Sequence, residues 1–470
     1  MSDVILLLPF AALLVLNILP RDARAHAWIV AAVVFGLQTV FAILQPFGLI
    51  DWSFLGPFEK AVGFNLHSDN LSVLLLLTAG IAGLASLLVG RASFGQPRAR
   101  FAFANLLLIA LIGINGIAMV RDLFSLYVFI EVTSVAAVIL VAVRDGEAAF
   151  EGAWKYLLLS VVASVLMLAS VALFLLTAGG VSFDEAAAAL AAPTPEVWIA
   201  AALFLCGLFV KSAMVPFHGW LADAYSEAPP AVSVFLAGIV TKASGIFALM
   251  RLAPAALSAA GPGRTILLVV GAVTAVGGAF LSLTQTDMKR MLAYSSISQM
   301  GYIVMALGGQ PALAIAAAAL HFFNHTVSKA QLFTNAAALE AQLGTRDMDR
   351  MGGIAARMPV TGGTAAVASL SVAGLPPLAG FWSKLLIVIA LWKAGQVVFA
   401  VIAVLTSLVT LAYFLSLQRK VFFGTILPEW SEVREAGPGY LVPALALAAI
   451  TVAIGLGFPF LLPILLGGGA

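Results

Sequence analysis

Four lysines of this chain lie inside long apolar stretches, and no Asp or Glu stands within one helical turn of any of them. Lys211 lies in AALFLCGLFVKSAMVPF, Lys242 in VSVFLAGIVTKASGIFAL, Lys329 in HFFNHTVSKAQLF and Lys384 in GLPPLAGFWSKLLIVIAL. One carboxylate, Glu131, is placed in the same way, in LYVFIEVTSVAAVILVAV. An ionised group in a membrane costs several kcal/mol unless it is paired or hydrated, so such residues are functional candidates. Together they predict a route for charge.

Glu131 and Lys211 are the most plausible ion pair of this set. A carboxylate or an ammonium alone in apolar surroundings tends to become neutral, whereas the two together can both stay charged. Separating them would favour release of a proton from the lysine, so the pair predicts an electrostatic switch. The alternative is a purely structural salt bridge, but a buried pair stabilises a protein poorly compared with apolar packing.

Two histidines precede Lys329 at helical spacing. His321, His325 and Lys329 follow each other at four-residue intervals, so they should lie along one face of a helix. A neutral imidazole can both donate and accept a hydrogen bond, and its pKa suits proton relay near neutral pH. A metal site is the alternative, but no acid or cysteine nearby supplies a third ligand. We therefore expect a proton relay, with no metal and no other cofactor.

The elements that must position these residues are membrane helices. Hydrophobic residues make up 62% of the chain and charged residues 10%, far from the balance of soluble proteins. Apolar windows long enough to cross a membrane recur from end to end and predict an all-α polytopic protein with about fourteen transmembrane helices. The predicted spans are 3–20, 27–48, 69–90, 101–120, 122–143, 153–178, 196–222, 229–251, 264–284, 289–308, 312–339, 359–393, 397–423 and 440–466. The stretch SFDEAAAALAA (182–192) predicts a short interfacial helix.

The positions of Lys and Arg in the loops predict the orientation, because basic residues favour the cytoplasmic side. Most of them follow odd-numbered spans, which places both termini on the outer, periplasmic side of an inner membrane. The N-terminal MSDVILLLPF lacks a basic region and predicts a retained first helix rather than a secretory signal. Loops after odd-numbered spans contain Arg21, Arg24, Arg91, Arg98, Arg100, Arg144, Lys155, Lys289, Arg290, Arg346, Arg350, Arg357, Arg419, Lys420 and Arg434. Loops after even-numbered spans contain Lys60, Arg121, Arg251, Arg264 and Lys393.

Two segments suggest an internal repeat. LFVKSAMVPFHGW (208–220) and GLPPLAGFWSKLL (374–386) each combine a lysine, proline within a few residues and an aromatic pair that ends in Trp. Proline removes a backbone donor, so both helices, predicted spans 7 and 12, should be broken near their lysine. Discontinuous helices at matching places are typical of transporters with inverted repeats. Simple proline kinks are the alternative.

The repeat divides one membrane domain, residues 1–470, into four parts. Residues 1–100 hold helices 1–3, 101–251 the first five-helix repeat, 262–424 the second repeat, and 438–470 helix 14. Five helices per unit, an odd number, would make the second unit run opposite to the first across the membrane. If the units pack side by side, Lys242 would lie between the Glu131–Lys211 pair and the histidines, with Lys384 at the far end.

Several other polar residues favour simpler interpretations. Lys155 could be a residue that snorkels to the membrane edge, or a member of the charged series. Asp223 and Glu227 should lie in the loop after the first broken helix as solvated or gating residues. Asp287, Lys289 and Arg290 should anchor a cytoplasmic turn. Cys206, the single cysteine, predicts a small buried residue in mid-helix, and one cysteine cannot ligate an iron–sulfur cluster. We therefore expect no redox centre in this chain.

Four motifs carry a resemblance to a known family. They are VRDLFSLYVFIE (120–131), VKSAMVPFHGWLADAYSEAPPAVSVFLAGIVTKASGIFALMR (210–251), TQTDMKRMLAYSSISQMGYIV (284–304) and SVAGLPPLAGFWSKL (371–385). The chain resembles the antiporter-like subunits that Mrp-type cation/proton antiporters, respiratory complex I and energy-converting membrane hydrogenases share. The resemblance implies fourteen helices, two inverted five-helix repeats, broken helices 7 and 12, and proton translocation.

The resemblance also implies roles for single residues. Glu131 matches the family's helix-5 glutamate, Lys211 its helix-7 lysine and Lys242 its helix-8 lysine. His325 and Lys329 match the helix-11 relay, and Lys384 matches the terminal lysine of helix 12. A lysine at 384 is similar to the Mrp D-type and complex I N-type members, whereas the NHxxxK pattern at 324–329 also resembles the hydrogenase branch.

These observations predict a proton-translocating, antiporter-like subunit of a larger membrane complex. The first hypothesis is a D-like component of an Mrp-type sodium/proton antiporter. The second is the proton-pumping membrane subunit of a complex I-like NADH–quinone oxidoreductase or an energy-converting hydrogenase, in which case the assembly is an enzyme. In both, the expected partners are other integral membrane subunits, lipids and protons, with no nucleic acid. Sodium ions are a further expected partner under the first hypothesis.

Overall fold

The computed structural model is built almost entirely from helices. Its described residues are 2–18, 26–47, 66–143, 146–258, 262–309 and 311–465. Among the basic loop residues that predict the orientation, Arg21, Arg24, Lys60 and Arg144 lie outside these ranges, as do the last residues of the chain. The described part contains no β-strand, only isolated bridges between loops. The predicted all-α class is confirmed.

Seventeen helices, which we number in chain order, make up the described fold. The seventh is the predicted short helix at 182–192, and the tenth passes through two π-helical segments. They are α1 (Ser2–Ile18), α2 (Ala27–Leu44), α3 (Asn70–Ser93), α4 (Pro97–Met119), α5 (Leu123–Val141), α6 (Glu147–Ala178), α7 (Phe183–Ala191), α8 (Pro195–Lys211), α9 (Gly219–Glu227), α10 (Pro230–Phe235, Leu236–Val240, Lys242–Phe247 and Ala248–Ser258), α11 (Gly263–Leu283), α12 (Met288–Leu307), α13 (Pro311–Leu343), α14 (Pro359–Ala373), α15 (Ala379–Lys393), α16 (Val397–Leu417) and α17 (Pro438–Leu465).

Side-chain caps fix where several of these helices begin. The carboxylates of Asp69, Asp122 and Asp287 accept hydrogen bonds from backbone N–H groups in the first turns of α3, α5 and α12. The first-turn N–H groups have no partner inside their own helix, so each cap satisfies a donor that would otherwise be unpaired. Ser182 and Glu185 form a complete capping box at the start of α7.

The surface of the bundle is that of a membrane protein. Nine helices in the described ranges are long and apolar enough to cross a membrane. Large apolar side chains point outward along them, such as Leu176 with 80% and Val165 with 63% of its surface exposed. Exposing so much apolar surface to water would be unfavourable, whereas contact with lipid hydrocarbon is not. The chain is therefore a multi-pass membrane protein, as its composition predicts.

Both predicted helix breaks are present. The first separates α8 from α9 between Lys211 and Gly219, and the second separates α14 from α15 between Ala373 and Ala379. A left-handed residue lies in each, namely Ala213 with φ 53° and Gly374 with φ 89°. Each half is shorter than a full membrane span, so neither broken segment is among the nine long helices of the described ranges. Proline explains both breaks, because it cannot donate to the helical ladder.

Close backbone approaches hold both breaks in place. A Cβ atom on Gly245 of α10 would lie 2.1 Å from Ser212 Oγ and 2.7 Å from Ser212 N at the first break. A Cβ atom on Gly380 of α15 would lie only 1.8 Å from Ser371 O at the second. Neither position has room for a side chain, so glycine is required by packing at these two points.

A charged cluster ties several loops together at one end of the helices. Arg251 and Arg121 both form ion pairs with Asp69, and the Arg121–Asp69 distance is 3.1 Å. Arg251 also donates to Ser72 Oγ at 3.0 Å and to the carbonyl of Ala118 at 3.1 Å. Burial alone would raise the pKa of the Asp69 carboxyl, but the hydrogen bonds from Arg251 and Ser72 hold it well below the ordinary value.

The opposite end of the helices contains two cavities. A cavity of about 630 Å³ is lined by loop residues that include Gly146, Thr286 and Arg346. A second, of about 1110 Å³, reaches from the α3–α4 loop to α13. The loops at this end follow odd-numbered predicted spans, and those of the Asp69 cluster border even-numbered ones. The loops at each end of the described bundle therefore share one parity in the predicted order of spans.

Three simpler sequence interpretations are wrong. Cys206 is exposed on α8 rather than buried, because its face of the helix points away from the bundle. Asp223 and Glu227 lie within α9, not in a loop, and pair with cations of neighbouring elements. Lys289 lies in the first turn of α12 and not in a loop turn, and its side chain is buried, with 3% of it exposed. Asp287, in contrast, is the N-cap of that helix, as a loop anchor should be.

Candidate functional site: a series of buried cations

The predicted pair of Glu131 and Lys211 is formed. Lys211 Nζ lies 2.9 Å from Glu131 Oε1, and it donates further bonds to Ser134 Oγ at 2.9 Å and Ser160 Oγ at 2.6 Å. An ammonium has three donors, so all of them are satisfied. The lysine side chain is 1% exposed and that of the glutamate 26%. One partner is thus sealed in the protein while the other can be reached from outside.

The first helix break positions this lysine. Lys211 is the last residue of α8, so its side chain leaves the helix where the backbone turns away. Trp220 on α9 donates its indole N–H to the carbonyl of Val210 at 3.2 Å, which links the two halves across the break. Its ring stacks on Tyr156 of α6 with centroids 4.2 Å apart. These contacts join the broken helix to α6, which also provides Ser160.

Lys242 lies in a π-helical segment of α10. The wider helix leaves carbonyls free to bend inward, and the ammonium donates to Gly238 O at 2.9 Å and to Ala237 O. Its side chain is fully buried. No ion-pair partner of Lys242 is found among the described residues. Its ammonium is thus held by neutral carbonyls alone, without a counter-charge among the described residues.

The two histidines stack along α13 as predicted. The rings of His321 and His325 are parallel to within 3°, with centroids 6.3 Å apart. His321 Nδ1 lies 2.9 Å from Ser383 Oγ on α15, whereas neither ring nitrogen of His325 has a hydrogen-bond partner among the described residues. Buried polar atoms are normally paired, so an unpaired imidazole is a candidate for a functional role. Lys242 and Lys329 both lie within electrostatic range of His325.

Lys329 continues the same face of α13 one turn further. Its ammonium donates to Leu292 O at 2.9 Å and to Ser295 Oγ at 2.8 Å, both on α12. Ser295 in turn shares a hydrogen bond of 2.9 Å with the hydroxyl of Tyr413 on α16. The lysine is fully buried, and the partners it bonds to are neutral. A chain of hydroxyls therefore connects α13 with α12 and α16.

Lys384 lies just beyond the second helix break, on α15. It donates to Ser407 Oγ at 3.0 Å, and its Nζ lies 4.8 Å from the ring centroid of Tyr302. An aromatic face attracts a cation, which partly replaces the missing carboxylate. The ring of Tyr302 is also next to His321, with centroids 5.9 Å apart. Lys384 and the histidine stack are thus joined through one tyrosine.

The structure brings the predicted residues into two groups. The first is the Glu131–Lys211 pair, and the second contains the histidines and Lys384, which Ser383 and Tyr302 connect. Lys329 follows the histidines on the same face of α13 but bonds to α12. Lys242, on the intervening α10, has no direct hydrogen bond to either of these groups. Lys155 belongs to neither, since it pairs with Asp223 and Glu151 and its side chain is 44% exposed. Its ammonium is therefore held by two carboxylates and is not an isolated charge at the membrane edge.

Sequence reasoning missed the hydroxyl groups that hold the cations. They lie in apolar helices, where a Ser or Thr usually bonds to its own backbone, so no local signal marks the ones that hold a distant cation. A pairing with a distant lysine becomes visible only in three dimensions. The residues are Ser134, Ser160, Ser295, Ser383 and Ser407, together with the aromatic partners Tyr302 and Tyr413.

Comparisons with known proteins agree with this architecture. The N-type subunit of the NADH-quinone oxidoreductase of Desulforudis audaxviator is 36% identical over 84% of this chain and 82% of its own length. The D-type subunit of the Na(+)/H(+) antiporter of Alkalihalophilus pseudofirmus is 29% identical over 85% and 82%. Among solved structures, a chain of the Mrp complex from Dietzia sp. superimposes with a TM-score of 0.86 at 26% identity, covering 99% of this chain and 96% of that one.

A match to a known protein family shows where this chain belongs. The model described as NADH:quinone oxidoreductase/Mrp antiporter, transmembrane, matches residues 120–410, which is more than half of the chain. The matched region begins just before α5 and ends within α16, so it includes every member of the charged series described above. The chain therefore belongs to the NADH:quinone oxidoreductase/Mrp antiporter transmembrane family.

Proposed function

We propose that this chain is a proton-translocating, antiporter-like subunit of a multisubunit membrane complex, and that the complex is an Mrp-type sodium/proton antiporter in which it acts as the D-like component. The observation that carries the proposal is that three buried cations, Lys242, Lys329 and Lys384, are held by hydroxyls and carbonyls instead of carboxylates. Such groups can lose and regain a proton without breaking an ion pair. The similarity to a D-type antiporter protein supports the same conclusion.

A second candidate is the proton-pumping membrane subunit of a complex I-like NADH–quinone oxidoreductase or of an energy-converting hydrogenase. The relative from an NADH-quinone oxidoreductase has the higher identity, 36% against 29% for the D-type antiporter protein. The residue-level mechanism is the same in both candidates. They differ in the neighbouring subunits, which supply a sodium gradient in one case and redox energy in the other.

Each residue of the series has a distinct proposed role. Glu131 holds Lys211 in its charged form, and separation of the pair releases the proton. Lys242 passes charge between the two groups. The α13 relay is made of His321, His325 and Lys329, and it ends at Lys384, the terminal gate. The stacked rings and the Tyr302 contact support this order, since they place the relay next to Lys384.

The helices form two inverted five-helix repeats, 101–251 and 262–424, within a domain of about fourteen spans that begins with helices 1–3 (1–100) and ends with helix 14 (438–470). Matching loop contacts support the repeat. The N-cap Asp122 of α5 bridges to Ser182 after α6, and the N-cap Asp287 of α12 bridges to Asp347 after α13. Each broken helix then stands fourth in its unit.

The proposed location is an inner membrane with both termini on the periplasmic side. Basic residues support this orientation, since Arg98, Lys289 and Arg346 line the cavities at the end assigned to the cytoplasm. The described loops at that end also carry more Lys and Arg than those near Asp69, as the sequence predicts for the cytoplasmic side.

Transport by the assembled complex in vesicles tests the proposal. Lys384→Ala should abolish most proton movement, measured with a pH-sensitive dye, while Lys393→Ala, an exposed lysine on the same helix, should leave it unchanged. Wild-type transport by an assembled Lys384→Ala complex would contradict the function. Driving the vesicles with a sodium gradient, or with a reductant and a quinone, separates the two candidate complexes.

A further inference from the structure

A second ammonium–carboxylate pair lies outside the series described so far. Lys289 Nζ on α12 is 3.8 Å from Glu340 Oε2 on α13, and it donates a hydrogen bond of 2.7 Å to the carbonyl of Ala228. Glu340 Oε2 is buried but accepts no hydrogen bond from the described residues. At 3.8 Å the contact between Lys289 Nζ and Glu340 Oε2 is a charge attraction and is too long for a hydrogen bond.

The exposure of this pair parallels that of Glu131 and Lys211. In that pair the lysine side chain is 1% exposed and the glutamate 26%. For Lys289 and Glu340 the values are 3% and 24%. Both pairs thus combine a buried ammonium with a partly exposed carboxylate, and of the two carboxylates only that of Glu340 is among the residues that line the two cavities. The two pairs differ in the distance between the lysine nitrogen and the carboxylate oxygen, which is 2.9 Å for Lys211–Glu131 and 3.8 Å for Lys289–Glu340. Lys289 therefore binds its carboxylate less tightly.

Glu340 stands where the two cavities meet. It lines both the cavity of about 630 Å³ and the cavity of about 1110 Å³, and only Gly344 shares this position among the described residues that line them. The larger cavity continues along α13 as far as Ala337. Water can therefore reach this carboxylate from two directions, at the end of the bundle where the proposed orientation places the cytoplasm.

Glu340 also lies on the functional face of α13. It follows Lys329 by three helical turns, which leaves the two side chains about 20° apart around the axis and about 16 Å apart along it. The larger cavity reaches Ala337, which is about 12 Å from Lys329 along the helix axis. No other Asp or Glu is present on α13. The face of the relay thus ends in a single water-facing acid.

We infer that Glu340 is the proton-collecting carboxylate of this chain, which takes protons from the water of the two cavities and delivers them towards Lys329, with Lys289 setting its charge. The inference rests on the proposed proton translocation. Other charged or titratable groups that face Glu340 across the cavities take part in its electrostatics. They are Glu227, Asp287, Lys289, Arg346 and Asp347 on one side, and Arg98 and Tyr440 on the other.

Transport by Glu340→Gln in the assembled complex tests the inference. A collecting carboxylate matters most where protons are scarce, so we expect a loss of about tenfold, or about 1.4 kcal/mol of barrier, at pH 8 and a smaller loss at pH 6. Glu340→Asp keeps the acid and should restore most of the rate. Glu432→Gln, an exposed glutamate in a loop, is the matched control and should behave as wild type.

The outcomes separate this inference from the proposed function. If Lys384→Ala abolishes transport but Glu340→Gln leaves it unchanged, or lowers it equally at both pH values, the collecting role is wrong and proton translocation stands. If neither variant changes transport in an assembled complex, the proposed function itself fails, and the inference with it.

Cysteine labelling gives a measurement that is independent of the carboxylate. In a Cys206→Ala background, Ala337→Cys should react with a charged, membrane-impermeant thiosulfonate added on the side of the cavities. Ala338→Cys, equally buried on the same helix but not among the cavity-lining residues, should stay unlabelled. Absence of labelling at position 337 would show that water does not reach the relay face, and would overturn the inference.

Discussion

The Glu131–Lys211 pair gives the sharpest test of the mechanism, because its geometry defines what each substitution removes. Glu131→Gln keeps an oxygen that can accept from Lys211 Nζ at 2.9 Å but deletes the negative charge. Lys211→Met keeps the bulk of the side chain but deletes the ammonium and leaves Ser134 and Ser160 without their donor. The first change isolates charge, and the second removes the whole interaction.

The burial of the pair sets the expected coupling energy between Glu131 and Lys211. Removing one partner of a fully buried ion pair costs about 3–5 kcal/mol. Since 26% of the Glu131 side chain is exposed, the pair is only partly buried, and we expect ~2 kcal/mol of coupling, within the range typical of residues in contact. If this energy is used to retain and then release the proton, each single variant should slow proton transport by about 30-fold.

A double-mutant cycle in the assembled complex measures this coupling. The two single variants and Glu131→Gln/Lys211→Met are compared by the initial rate of acidification in vesicles, with Glu432→Gln and Lys393→Met as exposed controls. Because the two residues act as a unit, the double variant should be about as slow as the slower single one. Losses that multiply would show two independent residues and refute the switch.

Three further predictions concern other parts of the chain. Asp69→Asn should lower the free energy of unfolding of the purified complex by about 1–2 kcal/mol, since the amide keeps the N-cap acceptor but loses the negative charge that pairs with two arginines. Because the folded-state pKa of Asp69 is depressed, this difference should persist above about pH 4 and shrink as the pH falls further; a constant difference would exclude the ionic contribution. Gly380→Ala should cost about 1–3 kcal/mol or prevent assembly, because the new methyl group meets a carbonyl, whereas Gly363→Ala, with open space around it, should be neutral or stabilising; equal thermal shifts would contradict this packing argument. His325→Leu should leave assembly intact, since its ring nitrogens have no partner among the described residues to lose, but should slow proton transport; unchanged transport would remove this histidine from the relay.

Much of the architecture could be predicted from composition and proline placement. A chain that is 62% hydrophobic cannot expose its backbone polar groups to lipid, so it must form spanning helices. Pro216 lacks an N–H and clashes with the preceding turn, so the break after Lys211 follows from local chemistry. The stack of His321, His325 and Lys329 follows in the same way from the helical repeat, which no tertiary contact alters.

Other features could not be predicted, because they depend on which helices become neighbours. The π-helical segments around Lys242 give no sequence signal, since they form where packing favours a wider turn. Lys289 has a loop-like sequence context, yet its side chain turns inward to the Ala228 carbonyl of another segment. Cys206 has the apolar context of a buried residue, but the rotation of α8 in the bundle exposes it.

Local composition and periodicity are enough to predict which residues carry charge into the membrane and which helix each one occupies. The contacts of each charge, in contrast, depend on how the helices pack against each other. Lys211 received a carboxylate and two hydroxyls, whereas Lys329 and Lys384 received hydroxyls without an acid. The physical reason is that the energy of a buried charge depends on partners within a few ångströms, and those partners come from helices far away in the sequence.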